Sequence, residues 1–424
     1  MAYRPCPATD SYRILPQKFK NQAITTMNTL LNELQPYPFE KLHTLLRGIT
    51  PAADHDHLNL SIGEPRHPVA SLIREVMAAS LDGISRYPTT RGEASLRQAA
   101  SLWLERRFAL IPGSVNPETQ LLPVNGTREA LFSIVQAVVG PKDDGAVVLM
   151  PNPFYQIYEG ATIMAGATPI HVPATQDTGF LPDYAALSPE ILARTKLLFL
   201  CSPSNPTGAV TPEPKLKQLI HLAETYDFIL AADECYSEIW YQEPPPGLLK
   251  VAQDQGRTKF ERCLVFHSLS KRSNMPGARS GFVAGDANLL EHYFHLRTYT
   301  GCATPPFIQA AATAAWNDEV HVEDNRNLYR QKLADALAIL QPILPVQPPQ
   351  AGFYLWLKVP QGGIAFARHL FQRYHVTVLP GAYLGRGEGD HNPGAPYIRI
   401  AMVQPREENR EAFERIAAAV RDLR

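Results

Sequence analysis

Residues 197–208 read LLFLCSPSNPTG, an apolar run that ends in a turn containing Pro and Gly. Other apolar runs with little polar alternation flank it, and helical patterns such as TREALFSIVQAVV (127–139) and EPKLKQLIHLAETYD (213–227) separate them. These runs are LLPVN (121–125), AVVLMP (146–151), TPIHVPA (168–174), FILAADE (228–234) and CLVFHSLS (263–270). Such an alternation indicates a mostly parallel sheet that helices cover on both faces. We therefore predict an α/β domain whose sheet forms between about Leu121 and Ala284.

The C-terminal part of the chain has a different pattern. A long helix is predicted from residue 325 (NRNLYRQKLADALAILQPI), another around Ile364–Tyr374, and a last one at the chain end. The strand-like runs FYLWLKV, VTVLP and YIRIAMV are separated by Gly and Pro turns, which is typical of a smaller α+β domain. Residues 27–75 are too poor in apolar residues to fold alone, so we expect them to pack against it. The predicted division is an extension (1–26), this joining segment (27–75), a large domain (76–324) and a small domain (325–424).

The composition of the 424-residue chain argues against several classes of function. A net charge of -1 gives no reason to expect a nucleic-acid partner or an acidic membrane surface. No apolar run reaches the roughly 18–20 residues that cross a bilayer. The cysteines are odd in number, widely spread and never spaced as CxxC, and Cys201 and Cys263 lie in strand-like runs as buried thiols; the others are Cys6, Cys235 and Cys302. This usage fits a reducing compartment, and we expect a cytoplasmic protein.

Two N-terminal features carry no predicted site. The first 26 residues lack the apolar centre of a secretory signal, and we interpret Met27 as a more natural start of the protein chain. In DHDHLN (54–59), His55 and His57 alternate with aspartates before a strand, which is typical of solvated surface. We expect no metal site there.

Residues 267–286, HSLSKRSNMPGARSGFVAGD, place Lys271 just after an apolar strand. A lysine that forms a Schiff base must be a neutral, partly desolvated amine. Ser268, Ser270 and the guanidinium of Arg279 would suit a dianionic phosphate beside it. An exposed turn with a solvated Lys-Arg pair explains this segment equally well.

Two further strand ends favour a cofactor site. Asn205 follows one apolar run and Asp233 and Tyr236 follow the next, and ligands of α/β proteins bind at the carboxyl ends of strands. An aspartate there could keep a pyridine nitrogen protonated, which makes the ring an electron sink for a carbanion. Asparagine and tyrosine could hydrogen-bond an oxygen on the ring. A lone Asp in such a place is usually a helix cap, but three strand ends in order are harder to explain that way.

The chain resembles the class I/II aminotransferases of the aspartate aminotransferase superfamily, which are fold type I pyridoxal-5′-phosphate (PLP) enzymes. The likeness covers residues 27–424, and its segments appear in family order. They are LSIGEP (60–65), YPTTRG (87–92), NGTREAL (125–131), PNPFYQIY (151–158), SPSNPTG (202–208), DECYSE (233–238), SLSK…GARSGF (268–282) and YIRIAM (397–402). The resemblance implies a large domain with a mostly parallel central sheet and a smaller α+β domain built from both chain ends.

The resemblance also implies roles at the ring of the cofactor. Lys271 would form the Schiff base and move the proton between the substrate Cα and the cofactor C4′. Asp233 would pair with the pyridinium nitrogen, while Asn205 and Tyr236 would contact the 3′-oxygen. Tyr155 matches the aromatic side chain that stacks on the ring, although core packing is the alternative for this residue.

For the phosphate, the resemblance implies Ser268, Arg279 and the backbone of Gly126 and Thr127, where a helix N-terminus favours an anion. Tyr87 matches a tyrosine that reaches the phosphate of the neighbouring subunit. We therefore expect a homodimer with shared active sites.

Arg399 matches the arginine that clamps the substrate α-carboxylate, Asn205 lies at the substrate side, and Gly63 belongs to the segment that closes over the substrate. Within the superfamily, SKRSNMPGARSGF, YPTTRGEASLR and CSPSNPTGAV look most like bacterial N-succinyl-LL-2,6-diaminopimelate aminotransferases of lysine biosynthesis. Such an enzyme uses glutamate and 2-oxoglutarate as the second pair, so its substrates carry a distal carboxylate. The candidates for a second cationic group are Arg66, Arg91 and Arg128.

Two other interpretations stay open. The chain could be an aminotransferase for alanine, aspartate or an aromatic amino acid. It could also be a PLP-dependent C–S lyase, or a PLP-binding regulator, although no basic recognition helix precedes the domain.

Overall fold

The computed structural model describes residues 27–424, and the extension predicted at 1–26, with Cys6, lies outside them. A sheet of seven strands forms its centre. In sheet order the strands are β2 (Leu121–Val124), β8 (Gly281–Gly285), β7 (Cys263–Ser268), β6 (Ile229–Asp233), β5 (Thr195–Cys201), β3 (Val147–Asn152) and β4 (Thr168–Pro173). Only β8 pairs antiparallel with its neighbours, β2 and β7, and the other pairs are parallel. The mostly parallel sheet confirms the predicted α/β class.

Helices cover both faces of this sheet, because successive side chains of a buried strand point to opposite faces. In β5, Leu197 and Phe199 join the apolar core on one face, and Leu198 and Leu200 join the core on the other. The first face carries α4 (Thr127–Val138), α5 (Ile157–Met164) and α10 (Ala287–Thr300). The second carries α2 (Ser71–Ala79), α3 (Ala94–Phe108), α6 (Pro189–Arg194), α7 (Glu213–Tyr226), α8 (Leu248–Asp254), α9 (Leu269–Arg272) and α11 (Pro306–Asn317).

A separate apolar core lies among elements from both ends of the described chain. Its strands are β1 (Leu58–Asn59), β9 (Tyr354–Lys358), β10 (Val376–Thr377), β11 (Leu379–Pro380) and β12 (Tyr397–Ala401). Its helices are α12 (Val320–Leu340), α13 (Gly363–Tyr374) and α14 (Arg406–Asp422). Helix α1 (Pro38–Leu46) packs through Leu42 on the edge strand β11 and on the central strand β12 of the three-stranded sheet. Leu58 and Leu60 are buried together with Leu333, Phe366 and Phe413. The exact domain boundaries stay a prediction.

The long helix α12 begins at Val320, earlier than the predicted residue 325. Asp318 supplies the start signal that the prediction overlooked, because its Oδ2 accepts from the His321 backbone N–H at 3.0 Å in the first turn of the helix. Cys201 and Cys263 are buried, as predicted. Across residues 27–424, no helix is both long and apolar enough to cross a bilayer. The same residues contain no cluster of three or more His, Cys, Asp or Glu side chains that could hold a metal ion. The His57 ring lies 2.8 Å from the Thr377 hydroxyl.

Candidate active site

A cavity of about 350 Å³ lies at the carboxyl ends of β5, β6 and β7, next to the small apolar core. Ten of the twelve predicted site residues line it: Gly63, Thr127, Tyr155, Asn205, Asp233, Tyr236, Ser268, Lys271, Arg279 and Arg399. Gly126 lies directly behind, against the Arg279 guanidinium. Tyr87 is fully exposed and lies outside the cavity, so its predicted contact with a neighbouring subunit stays a prediction.

Asp233 is the last residue of β6 and is buried at the floor of the cavity. Burial raises the pKa of its carboxyl group, and hydrogen bonds from Cys235 and Tyr158 oppose that rise. Tyr158 Oη donates to Asp233 Oδ2 at 2.8 Å, and the Cys235 backbone N–H donates to Oδ1 at 3.3 Å. These donors favour the charged form, so the site can present a carboxylate to a cationic ring nitrogen.

Lys271 lies in the single-turn helix α9, directly after β7. Its Nζ donates to the Gly63 carbonyl oxygen at 2.5 Å. Burial lowers the pKa of its amine to about 8, with Arg399 and Arg279 acting in the same direction and Cys235 against it. An amine of this kind is partly neutral near neutral pH, which nucleophilic attack on a carbonyl requires. The neighbouring Arg272 is buried, so the solvated Lys-Arg pair considered above is wrong.

One end of the cavity has the features of a phosphate cradle. Helix α4 begins after Gly126, which has φ 83° and provides no side-chain cap, so the first N–H groups of the helix remain available. A Cβ at Gly126 would collide with the Arg279 guanidinium, so only glycine leaves this close approach open. Thr127, Ser268 and Ser270, which carry hydroxyl groups, also line the cavity. This donor set fits a phosphate group.

Arg399 from β12 is buried at the opposite side of the cavity. Its guanidinium donates to Asn205 Oδ1 at 2.9 Å and to the Ser61 carbonyl oxygen at 2.8 Å. Its Nε is buried and has no partner within the described residues. A buried guanidinium with an unused donor can bind a carboxylate in place of these neutral acceptors.

Three tyrosines around the site were not among the predicted residues. Tyr37, just before α1, and Tyr354, at the start of β9, line the cavity. Tyr354 Oη lies 3.2 Å from Tyr236 Oη, and the Arg399 guanidinium lies over the Tyr354 ring at 4.3 Å. Tyr158, in the first turn of α5, donates to the Asp233 carboxylate. Tyr354 could have been suspected, because it begins a strand paired with the strand of Arg399.

The three candidate arginines for a second carboxylate lie in different places. Arg66 is exposed, 3.8 Å from Glu64, and Arg91 donates to the Glu118 carbonyl oxygen at 2.7 Å. Only Arg128 among them lines the cavity, with its guanidinium 5.3 Å from the centre of the Tyr37 ring. No hydrogen bond or ion pair joins Arg128 to another side chain of the described chain.

Comparison with known proteins agrees with this geometry. The family model of aminotransferase class I and II matches residues 55–416. An LL-diaminopimelate aminotransferase 2 of Trichormus variabilis is 31% identical over 397 residues, covering 92% of this chain and 97% of that protein. The crystal structure of an aminotransferase from Neisseria meningitidis is 45% identical, with a TM-score of 0.89, over 93% of this chain and all of that one. A probable N-succinyldiaminopimelate aminotransferase of Thermus thermophilus is 25% identical with a TM-score of 0.78, over 90% of this chain and 100% of that one.

The fold and the site therefore define a fold type I PLP enzyme, as the sequence predicted. The chain belongs to the class I and II aminotransferase family and is a PLP-dependent transaminase.

Proposed function

We propose that this transaminase exchanges an amino group between glutamate and 2-oxoglutarate on one side and N-succinyl-LL-2,6-diaminopimelate and its 6-oxo form on the other. The observation that carries the proposal is the charge of the cavity wall. Its charged lining residues are Arg128, Lys271, Arg279 and Arg399, against one carboxylate, Asp233. With Lys271 and Arg279 assigned to the cofactor, one arginine remains for the α-carboxylate and one for a distal carboxylate.

A second candidate substrate is unsuccinylated LL-diaminopimelate, because relatives about 31% identical carry the name of that activity. Its distal end bears an ammonium group and a carboxylate. In the succinylated compound that nitrogen is a neutral amide, and the charged groups there are all carboxylates. Asp233 is the single carboxylate among the described lining residues, and the ring nitrogen occupies it in our proposal. A distal ammonium would therefore lie near Arg128 without an acidic partner, which favours the succinylated substrate.

The same proposal assigns the steps to side chains. When bound, the cofactor supplies a protonated ring that accepts the electron pair left after the substrate loses its α-proton. Lys271 in its neutral form would take that proton from the substrate Cα and return it at the cofactor C4′, which lies within reach of the same amine. Asp233 keeps the ring nitrogen protonated, and Arg399 orients the substrate through its α-carboxylate.

Asn205 and Tyr236 hold the 3′-oxygen of the ring in this proposal, and Tyr155 stacks on it. Ser268, Arg279 and the N-terminus of α4 hold the phosphate. Gly63, whose carbonyl oxygen accepts from Lys271 Nζ, belongs in this proposal to the segment that closes over the substrate.

The test is a substrate panel with the purified holoenzyme. Glutamate is offered with the succinylated oxo acid, and 2-oxoglutarate is offered with LL-diaminopimelate, aspartate, alanine and phenylalanine. We expect the highest kcat/KM with the succinylated compound. Absence of turnover with it would refute the assignment, and ammonia and pyruvate released from cystathionine without an oxo acid would favour a lyase.

The role of Arg128 is tested with Arg128→Met. We expect kcat/KM to fall by about tenfold to a hundredfold for substrates with a distal carboxylate, the loss of one charge-assisted hydrogen bond. The kcat/KM of the variant for alanine should change little, because alanine has no distal carboxylate. Arg66→Met, outside the cavity, is the matched control, and equal losses for alanine and glutamate would contradict the role.

A further inference from the structure

Lys332 of α12 is a buried lysine that the reaction does not use. The residue is 2% exposed, and no carboxylate among residues 27–424 forms an ion pair with its amine. Its Nζ lies 2.6 Å from His67 Nε2, and burial lowers the pKa of this amine to about 8, although the more distant charge of Glu408 acts in the opposite direction. A buried amine without an acidic partner costs free energy, so its neighbours must explain its presence.

The direction of the hydrogen bond between Lys332 and His67 follows from one backbone group, the carbonyl of Lys271. Asn325 Nδ2 lies 3.3 Å from the Lys271 carbonyl oxygen, which can only accept, so the amide nitrogen of Asn325 must face it. Asn325 Oδ1 then faces His67 Nδ1 at 2.7 Å and Asn274 Nδ2 at 3.1 Å. Since an amide oxygen only accepts, His67 carries its proton on Nδ1, and its Nε2 accepts from Lys332. The donors therefore run in one direction, from Lys332 through His67 and Asn325 to Lys271.

This directed chain joins three elements. Lys332 and Asn325 lie two turns apart on one face of α12, and Lys271 lies in α9. His67 lies in the connection between β1 and α2, as does Gly63, whose carbonyl oxygen accepts from Lys271 Nζ. That connection therefore reaches Lys271 twice, at its amine through Gly63 and at its backbone through His67 and Asn325.

A single helical turn cannot hold its own geometry, because nucleation of a helix is unfavourable. The backbone of α9 needs external partners to direct the Lys271 side chain. We propose that Lys332, His67 and Asn325 are positioning residues that fix the backbone of Lys271 relative to Gly63 and so present its amine to the cofactor. The proposal rests on the proposed role of Lys271 and does not depend on which amino acid is the substrate.

The test measures how fast the apoenzyme captures PLP, followed by the visible absorbance of the lysine-bound cofactor. His67→Leu and Lys332→Met should each slow capture by up to about tenfold, since one intramolecular hydrogen bond is lost. The double variant should be no slower than the slower single variant, because both changes break the same chain. His67→Gln should recover most of the rate, because its amide again offers one donor and one acceptor.

Asn327→Ala is the matched control, since this side chain is exposed on the same helix and contacts Arg330 instead. It should capture PLP at the wild-type rate. Wild-type capture by His67→Leu, additive effects in the double variant, or a Gln variant as slow as the Leu variant would each overturn the proposal. Lowered thermal stability with unchanged capture would also overturn it. Lys271→Ala separates the two claims, because a retained visible band would refute the role of Lys271 itself.

Discussion

The Tyr158 hydroxyl donates to Asp233 Oδ2 at 2.8 Å, and both side chains are buried. In Tyr158→Phe the carboxylate loses this donor, a charge-assisted hydrogen bond of about 1.5–3 kcal/mol. Because burial already raises the pKa of Asp233, the loss raises it further, and the carboxyl group competes with the ring nitrogen for its proton. We expect kcat to fall by about tenfold to a hundredfold. The ring itself keeps its stacking on Phe199, at 4.3 Å between centroids.

The assay is steady-state transamination with glutamate, together with the thermal midpoint of each variant. Tyr184→Phe is the matched control, because the buried Tyr184 hydroxyl donates to the Phe199 carbonyl oxygen at 3.3 Å and does not contact Asp233. It should lose a similar amount of stability and keep the wild-type kcat. If Tyr158→Phe also kept the wild-type kcat, our account of how Asp233 stays ionised would be refuted.

Three further changes have defined outcomes. Because the pKa of the Lys271 amine is lowered to about 8, the rate of PLP capture should rise with pH to about 8 and then level off; a rate that kept rising toward the ordinary lysine pKa of 10.5 would contradict this. Gly63→Ala places a Cβ against the Oη of the buried Tyr354, so we expect the KM for glutamate to rise. A KM equal to that of the wild type would contradict this crowding. Arg272→Met removes a buried guanidinium that donates to the Ala315 carbonyl oxygen at 2.5 Å and to Glu319 at 2.8 Å. We expect urea titrations to show a free energy of unfolding lower by about 2–4 kcal/mol. An unchanged urea midpoint would contradict this prediction.

Much of the sheet and its edge could be predicted from the sequence, because each buried strand is a short apolar run that is followed by turn-forming or polar residues. Asp233 and Ser268 are the last residues of β6 and β7, and Asn205 follows β5. Parallel strands bring their carboxyl ends to one edge, so residues far apart in sequence could be expected to meet there. Their order along the chain was sufficient for this prediction.

The residues behind the site could not be predicted in the same way. Tyr158 reaches Asp233 across 75 residues, and Lys332 reaches His67 across 265. Such contacts depend on how packed helices are placed, which periodicity within one segment does not report. Only in α12 did the sequence contain a hint of these residues, because the polar Asn325 and Lys332 interrupt the buried face of the helix two turns apart.

The central claim is that Lys271 is the lysine that binds the cofactor. Reduction of the holoenzyme with borohydride fixes the cofactor on its lysine, and mass spectrometry of the peptides then locates it. We predict that the label is found on the peptide containing Lys271 and that Lys271→Ala carries none. A label on Lys332 or on any other lysine would contradict the account.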